Sequence, residues 1–318
     1  MSNLLLQIPD AVDVRDGLPR PNWDVIHAWS ETNVDSRSLN DTWTRIARDW
    51  LKLLADALPH DYTVRESSEF LLLATDVPLG ERILAFSEHA RRVILEKLDG
   101  VASDEGHGKH VILLLGDDDA YYDYVTDFYP DEGEFGLSGG MFLSAGYGHF
   151  VICPSSAVEY ERVIAHELNH ALLSHLPLPL WLNEGVTQVI EDIVVDSSYF
   201  MVDHEILQRH RAYWNLQTIN SFWSGESFSF PDEGQELSYG LAQVLFRNLM
   251  SDFPEVVKDI LNNASYVDAG NSAFLQFCNV SIADRAAQFL GNGDWTARGN
   301  YADLDGSGTM DGYHRGVA

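Results

Sequence analysis

The residues His166-Glu167-Leu168-Asn169-His170 form the pattern H-E-x-x-H inside a helical stretch of the sequence. Residues four apart share one face of a helix, with Cβ atoms about 5–6 Å apart, so both imidazoles can reach one tetrahedral metal ion. Glu167 would then lie beside the metal, where its carboxylate can hold a water and act as the general base of a zinc hydrolase. On these five residues alone, two surface histidines on an acidic helix are an equally good interpretation.

A third ligand is expected from the stretch Trp181-Leu182-Asn183-Glu184-Gly185, which opens the next helix. Glu184, Gln188 and Glu191 follow one another at spacings of four and three, on a different face from the apolar positions. One carboxylate can therefore bind zinc while a second orients a ligand histidine. Alternatively, Glu184 is an acid of the first helical turn, which the helix dipole favours.

These motifs, together with Leu237-Ser238-Tyr239-Gly240-Leu241-Ala242, resemble the gluzincin metallopeptidases of the peptidase MA-like group and, more distantly, the family-one aminopeptidases. The resemblance covers roughly residues 63 to 255. It implies a zincin-like α+β fold, with an upper lobe of mixed sheet plus helices, a lower helical lobe and an active-site cleft between them. It also implies one zinc ion per chain and assigns the site residues as follows: His166, His170 and Glu184 as zinc ligands, Glu167 as general base, and Glu191 as a carboxylate behind the ligands that orients a ligand histidine.

Tyr239 occupies the position at which the aminopeptidases place a tyrosine that steadies the tetrahedral intermediate. A phenol hydroxyl can supply a hydrogen bond where oxyanion charge develops. The positions Leu237, Leu241 and Leu245 provide the apolar face of this helix and leave Tyr239 off it. A tyrosine packed in the helical lobe is the alternative, and His204 and His210 are alternative oxyanion donors.

The sequence departs from the aminopeptidases at Gly139-Gly140-Met141-Phe142-Leu143, where those enzymes carry a Gly-Ala-Met-Glu-Asn-like strand. Phe142 and Leu143 replace the acid and the amide, so the carboxylate that would hold a free substrate amine is missing there. The interval from His170 to Glu184 is also shorter than in better-known gluzincins. Both points favour an endopeptidase, with Gly140, Met141 and Phe142 aligning an extended substrate backbone.

Two other functions compete with a zinc endopeptidase. One is a catalytically silent zincin-like protein that binds a partner protein; the retained Glu167 argues against it, because a pseudoenzyme commonly loses the base. The other is an atypical aminopeptidase.

Apolar spacing predicts the elements that position the motifs. Helices are predicted for 41–58, 79–98 and 181–195, and buried strands for 70–74 and 110–115 in a strand, helix, strand unit. Two further strands, 140–143 and 149–152, are joined by Gly146-Tyr147-Gly148 and lead into the metal helix, which Ser156 and Glu159 begin as a capping box. From these elements we predict an N-terminal arm (1–40), an upper α/β lobe (41–153), a zinc-binding and lower helical lobe (154–290) and an acidic, Gly-rich tail (291–318).

The amino-acid composition limits the classes of partner that the protein is expected to bind. The chain has 318 residues, 45% of them hydrophobic, and a formal net charge of −29, which disfavours nucleic-acid phosphates and anionic membranes as partners. No secretory signal or long apolar run is present at the start or elsewhere. Cys153 and Cys278 lack the spacing of a disulfide framework or a thiolate zinc site. We therefore expect a cytoplasmic protein whose partner is a peptide or protein substrate.

Two acidic stretches could be taken for calcium sites. The run around Asp117, Asp118 and Asp119 is better explained as acids in the first turn of a short helix. Asp303, Asp305, Ser307 and Asp311 follow the spacing of an EF-hand loop, but His314 stands where the bidentate Glu is required. An acidic Gly-rich tail explains the second stretch better.

Overall fold

The computed structural model describes residues 3–128, 140–153, 160–299 and 301, and these form a mixed α and β structure. The strands are β1 (Val12–Arg15), β2 (Leu18–Pro21), β3 (Thr63–Glu66), β4 (Phe70–Ala74), β5 (His110–Leu114), β6 (Gly140–Leu143) and β7 (His149–Ile152). The helices are α1 (Trp23–Asn33), α2 (Leu39–Ala57), α3 (Val77–Lys97), α4 (Asp118–Val125), α5 (Tyr160–Leu173), α6 (Leu180–Val194), α7 (His204–Tyr213), α8 (Thr218–Ser224), α9 (Glu233–Asp252), α10 (Val257–Asn263), α11 (Asn271–Cys278) and α12 (Ile282–Leu290).

The main sheet has five strands in the order β3-β4-β5-β7-β6. Its centre is parallel, because β4 pairs with β5 and β5 with β7 in the same direction. The outer strands β3 and β6 run antiparallel to their neighbours. All residues of β4, β5 and β7 are buried, as expected for parallel strands that are covered on both faces. The four strands predicted from apolar runs are therefore confirmed.

The three helices with predicted ranges are also confirmed in position, with ends that differ by one or two residues. Helix α4 begins at an Asp117 N-cap, whose side chain accepts a hydrogen bond of 2.8 Å from the backbone N–H of Ala120. Asp118 and Asp119 lie in its first turn. The acids after β5 thus begin a helix, as predicted. Ser156 and Glu159 of the predicted capping box, and Asp303, Asp305, Ser307 and Asp311 of the tail, lie outside the described residues.

The prediction of an extended arm at the N-terminus is wrong for residues 12–33. Strands β1 and β2 form an antiparallel hairpin, and α1 follows directly after it. Asn22 caps α1 by accepting a hydrogen bond of 3.2 Å from the Val25 N–H. Only Ile26 and Ser30 of this helix are buried, so its apolar period is too short to be recognised in the sequence.

The described chain divides into two compact units. The first, drawn from residues 1–93 and 104–172, contains both sheets, helices α1, α2 and α4, and most of α3 and α5. The second, drawn from residues 94–103 and 173–311, is helical. No helix in the described part of the chain combines the length and apolar character needed to cross a membrane.

Helices α6 and α9 of the second unit pack closely against each other at Gly185. A Cβ atom added there would lie 2.7 Å from the carbonyl oxygen of Ala242 and 3.1 Å from Cβ of Phe246. Only a hydrogen atom at this position lets the two backbones pack. Glu184 precedes this contact directly, so the packing of α6 on α9 also determines where the Glu184 backbone lies.

We predict that Gly185→Ala lowers the free energy of unfolding by about 1–3 kcal/mol, because the added methyl group overpacks the contact with α9. The matched control is Gly80→Ala in α3, where the new Cβ would meet the end of the Leu72 side chain at 3.2 Å. That substitution should be neutral or stabilising, since alanine is the better helix former. Urea unfolding measures both; an equal effect of the two substitutions would contradict the packing argument.

Candidate metal centre

His166 and His170 of α5 direct nitrogen atoms toward each other. Their Nε2 atoms are 3.1 Å apart, and the ring centroids are 4.8 Å apart with the planes nearly perpendicular. The apolar side of α5, with Ile164, Leu168 and Leu172, is buried. This anchored side fixes the rotation of the helix and therefore the direction of the two imidazoles. His170 is buried, whereas His166 is half-buried.

Glu184 of α6 completes the group of candidate ligands. One ligand atom from each of His166, His170 and Glu184 lies within 4.8 Å of the others. Glu184 is 2% exposed, and a carboxylate that deep in a protein requires a cation or hydrogen-bond donors. The three side chains predicted as ligands are therefore brought together and could hold one metal ion.

The donor set fits zinc. Zn²⁺ prefers imidazole nitrogen and carboxylate oxygen in a tetrahedral arrangement, with bonds of about 2.0–2.1 Å to nitrogen. Two nitrogens on such an ion are separated by about 3.3 Å, from the tetrahedral angle and that bond length. The 3.1 Å between the two Nε2 atoms is close to this separation. Three protein ligands also leave a fourth position for water or substrate, as in catalytic zinc sites.

Glu167, the predicted base, is held by the backbone of β6. Its Oε2 atom accepts a hydrogen bond of 2.9 Å from the N–H of Phe142. The Phe142 side chain is buried against Phe150, with the ring centroids 5.1 Å apart. The predicted substrate strand Gly140, Met141 and Phe142 therefore touches the predicted base. The sequence carries no signal for this contact, because a backbone group makes it.

The side chain of Gln188 contacts the backbone of Tyr239 in α9. The side-chain amide of Gln188 donates to the carbonyl oxygen of Glu184 at 3.2 Å and to that of Tyr239 at 3.1 Å. The Tyr239 ring is half-buried and packs edge-on against Phe228, with centroids 5.1 Å apart. Glu191 is half-buried on α6, seven residues after Glu184. The roles of Tyr239 and Glu191 stay predictions.

The two alternative oxyanion donors have different surroundings. His204 is exposed at the start of α7. His210 is 2% exposed, and its Nδ1 accepts a hydrogen bond of 3.1 Å from the Trp214 indole N–H. Burial, and secondarily the charge of Arg209, lowers the pKa of His210 to about 4. A neutral histidine with this contact has a packing role in the second unit.

Comparison with known proteins adds no assignment to this geometry: no protein-family model matches the chain, and no curated protein matches it in sequence.

We predict that His210 makes the protein less stable in acid. Because the folded-state pKa is below the ordinary value of about 6.5, the unfolded chain binds the proton first as the pH falls. The stability from neutral His210 is complete above about pH 6.5 and is lost toward pH 4. His210→Asn keeps an acceptor for Trp214 and removes the titration.

Between about pH 7.5 and about pH 5, the wild type should lose about 2 kcal/mol more of its unfolding free energy than His210→Asn. Urea unfolding at the two pH values measures this difference. Equal losses in both proteins would show that His210 titrates normally in the folded state.

Proposed function

We propose that this protein is a zinc-dependent peptidase of the gluzincin type, with a zincin-like fold and endopeptidase specificity. The observation that carries the proposal is the convergence of His166, His170 and Glu184, whose ligand atoms lie within 4.8 Å of one another. Glu167, in the same H-E-x-x-H motif, adds a carboxylate that a metal site with a purely structural role does not need. The resemblance of the sequence motifs to gluzincins is a second support.

Each of these residues has a separate role in the proposed reaction. His166, His170 and Glu184 would hold Zn²⁺, which supplies Lewis acidity and lowers the pKa of water. Glu167 takes a proton from the attacking water and returns it to the leaving amine of the scissile peptide bond. Tyr239 donates a hydrogen bond to the oxyanion that develops on the carbonyl. In this mechanism the substrate forms no covalent intermediate with the protein.

The hydrogen bond from Phe142 supports the role of Glu167 as base. A carboxylate oxygen that accepts a hydrogen bond from a backbone N–H is held in one orientation. Less conformational freedom is therefore lost when the carboxylate reaches the reactive geometry. Strand β6 is one of the two outer strands of the five-stranded sheet in the described residues, so an extended peptide could add beside it. We propose that Gly140, Met141 and Phe142 align the substrate there.

The test of the mechanism is Glu167→Gln. This variant should bind one equivalent of zinc like the wild type and cleave a mixed peptide library about 10²- to 10⁴-fold more slowly, because only the general base is removed. Glu161→Gln, the same change at an exposed position of α5, is the matched control and should keep full activity.

His166→Ala should lose both zinc and activity, whereas His175→Ala at an exposed position should lose neither. Metal analysis after reconstitution and the cleavage assay give the two readouts. No stoichiometric zinc in the wild type would overturn the metal centre. Zinc without any cleavage would instead favour the silent, partner-binding protein, and cleavage unchanged in Glu167→Gln would overturn the assigned base.

We further predict that blocking the amino terminus of a substrate does not slow cleavage. Phe142 stands where the aminopeptidases carry an acid, and its side chain is buried against Phe150. No carboxylate at this position can pair with a free amine. N-acetylated and free forms of a good library peptide should therefore give kcat/KM values within about threefold, less than the loss of one charge-assisted hydrogen bond would cause. A strong preference for the free amine would instead identify an atypical aminopeptidase.

A further inference from the structure

A cavity in the second unit lies where helices α6 and α9 both end. Its volume is about 680 Å³, within the range of about 300–1,000 Å³ that is typical of ligand sites. The end of α6 and the residues to Ser198 line one side, and Arg247, Met250 and Ser251 of α9 line the other. We call this cavity the terminal pocket. None of its residues is a candidate ligand of the metal centre.

The C-terminal ends of both helices border the terminal pocket without a basic side chain in the last turn to neutralise them. Aligned peptide dipoles give the C-terminal end of a helix roughly half an elementary negative charge. Two such ends at one cavity therefore favour a cation as ligand.

Three charged residues line the terminal pocket: Asp192, Asp196 and Arg247. The Arg247 Nη2 atom donates hydrogen bonds to Oδ2 of Asp192 at 2.5 Å and to the Ser198 hydroxyl at 3.2 Å. Arg247 and Asp192 thus compensate each other's charge. Asp196 is exposed, and its carboxylate makes no ion pair within the described part of the chain. The lining therefore retains one accessible, uncompensated negative charge.

An exposed apolar run, residues 199–202, continues from the rim of the terminal pocket. Tyr199 and Met201 are 72% and 69% exposed, and the ring of Phe200 between them lies against Arg247, with 4.5 Å from the guanidinium carbon to the ring centroid. Side chains of an extended chain alternate in direction in this way. Inside the pocket, Ile193 of α6 is exposed as well. Grouped exposed apolar side chains are typical of a surface that binds another protein or peptide.

The charged residues that follow the apolar run are mainly acidic. Asp203 and Glu205 are both exposed, with His204 between them. A second copy of this chain would bring the same acids to the surface, and the whole chain carries a net charge of −29. Anionic membranes are disfavoured for the same reason. Charge complementarity therefore favours a basic partner.

We propose that the terminal pocket and the apolar run bind an extended peptide segment of a partner that is both basic and apolar. A lysine or arginine side chain would enter the pocket, with its charge near Asp196 and the two helix ends. Neighbouring apolar side chains of the segment would pack on Tyr199 and Met201. This docking is separate from the proposed hydrolysis, and no bond is made or broken in it.

The test is calorimetric titration of the full-length chain carrying Glu167→Gln, so that the probes stay intact. The probes are three acetylated and amidated pentapeptides: Lys-Leu-Lys-Leu-Lys, Lys-Ser-Lys-Ser-Lys and Glu-Leu-Glu-Leu-Glu. At about 0.15 M salt, screening limits general attraction to the acidic chain to about 8 Å. The leucine–lysine peptide should bind one equivalent saturably. The serine–lysine peptide should bind at least tenfold more weakly, because it buries no leucine, and the glutamate peptide should not bind, because its charge is repelled.

Matched variants locate the binding. Asp196→Asn removes the charge and keeps a residue that accepts the φ of 49° at this position, and it should weaken binding of the leucine–lysine peptide about threefold. Its control is Asp10→Asn, an exposed aspartate with a φ of 57° in the first unit, which should have no effect.

Met201→Ser removes apolar contact area and should weaken binding of the same peptide about threefold to tenfold. Its control is Leu6→Ser, which changes an exposed apolar residue of the first unit and should have no effect. Thermal unfolding verifies that each variant is folded.

Three results would overturn the proposal as a general attraction of cations to an acidic chain: no saturable binding, equal binding of the leucine and serine peptides, or equal effects of Asp196→Asn and Asp10→Asn. A dimer seen by analytical ultracentrifugation without peptide, and dissociated by Met201→Ser, would identify a second copy as the occupant and also overturn it.

His166→Ala separates this surface from the candidate metal centre. Binding of the leucine–lysine peptide should persist when His166→Ala is added to the chain. Binding that is lost in His166→Ala and unchanged in both Asp196→Asn and Met201→Ser would place the peptide at the metal centre and overturn the proposal. Since the titrations measure binding alone, their result does not depend on whether the protein is a peptidase.

Discussion

Two ring nitrogens that face each other 3.1 Å apart are the constraint on which the candidate site depends. Two neutral imidazoles cannot both present lone pairs at this distance without a proton or a cation to share. The helix makes this approach possible, because His166 and His170 are one turn apart and the opposite side of α5 is buried. With the carboxylate of Glu184 in the same group, a divalent cation relieves the repulsion of the lone pairs and the burial of the acid together.

The surroundings of this group are arranged by packing more than by polar contacts. Gly185 admits α9 against α6 at the residue after Glu184, a candidate ligand, and the buried side of α5 fixes the two histidines. On the side of the sheet, the backbone of β6 supplies the hydrogen bond to Glu167. Each reactive side chain is thus supported by an element whose own position is set by apolar contacts, as a preorganised site requires.

Much of this was predictable from the sequence, for identifiable reasons. Runs such as 70–74 and 111–115 are apolar at every position, which is typical of buried strands, and the H-E-x-x-H spacing specifies one helical face. The hairpin and α1 were not predictable, because only two residues of α1 are buried and its cap is an ordinary asparagine. The hydrogen bond from Phe142 and the terminal pocket also escaped prediction. The first is made by a backbone atom, and the second combines the ends of two helices that are far apart in the chain.

The side chain of Gln188 joins the backbones of two helices at the residues proposed to act in catalysis. Its amide nitrogen donates hydrogen bonds to the carbonyl oxygens of Glu184 and Tyr239, at 3.2 Å and 3.1 Å respectively. Fluctuations that lift α9 from α6 must break the contact with Tyr239, whereas the contact with Glu184 lies within α6 and persists. The same fluctuations remove the α9 backbone that packs on Gly185, the residue after Glu184, so the lifetime of a cation bound by Glu184 would depend on the opening rate of α9. Slow amide hydrogen exchange in the middle of α9 and slow release of the metal would then be two measurements of one motion.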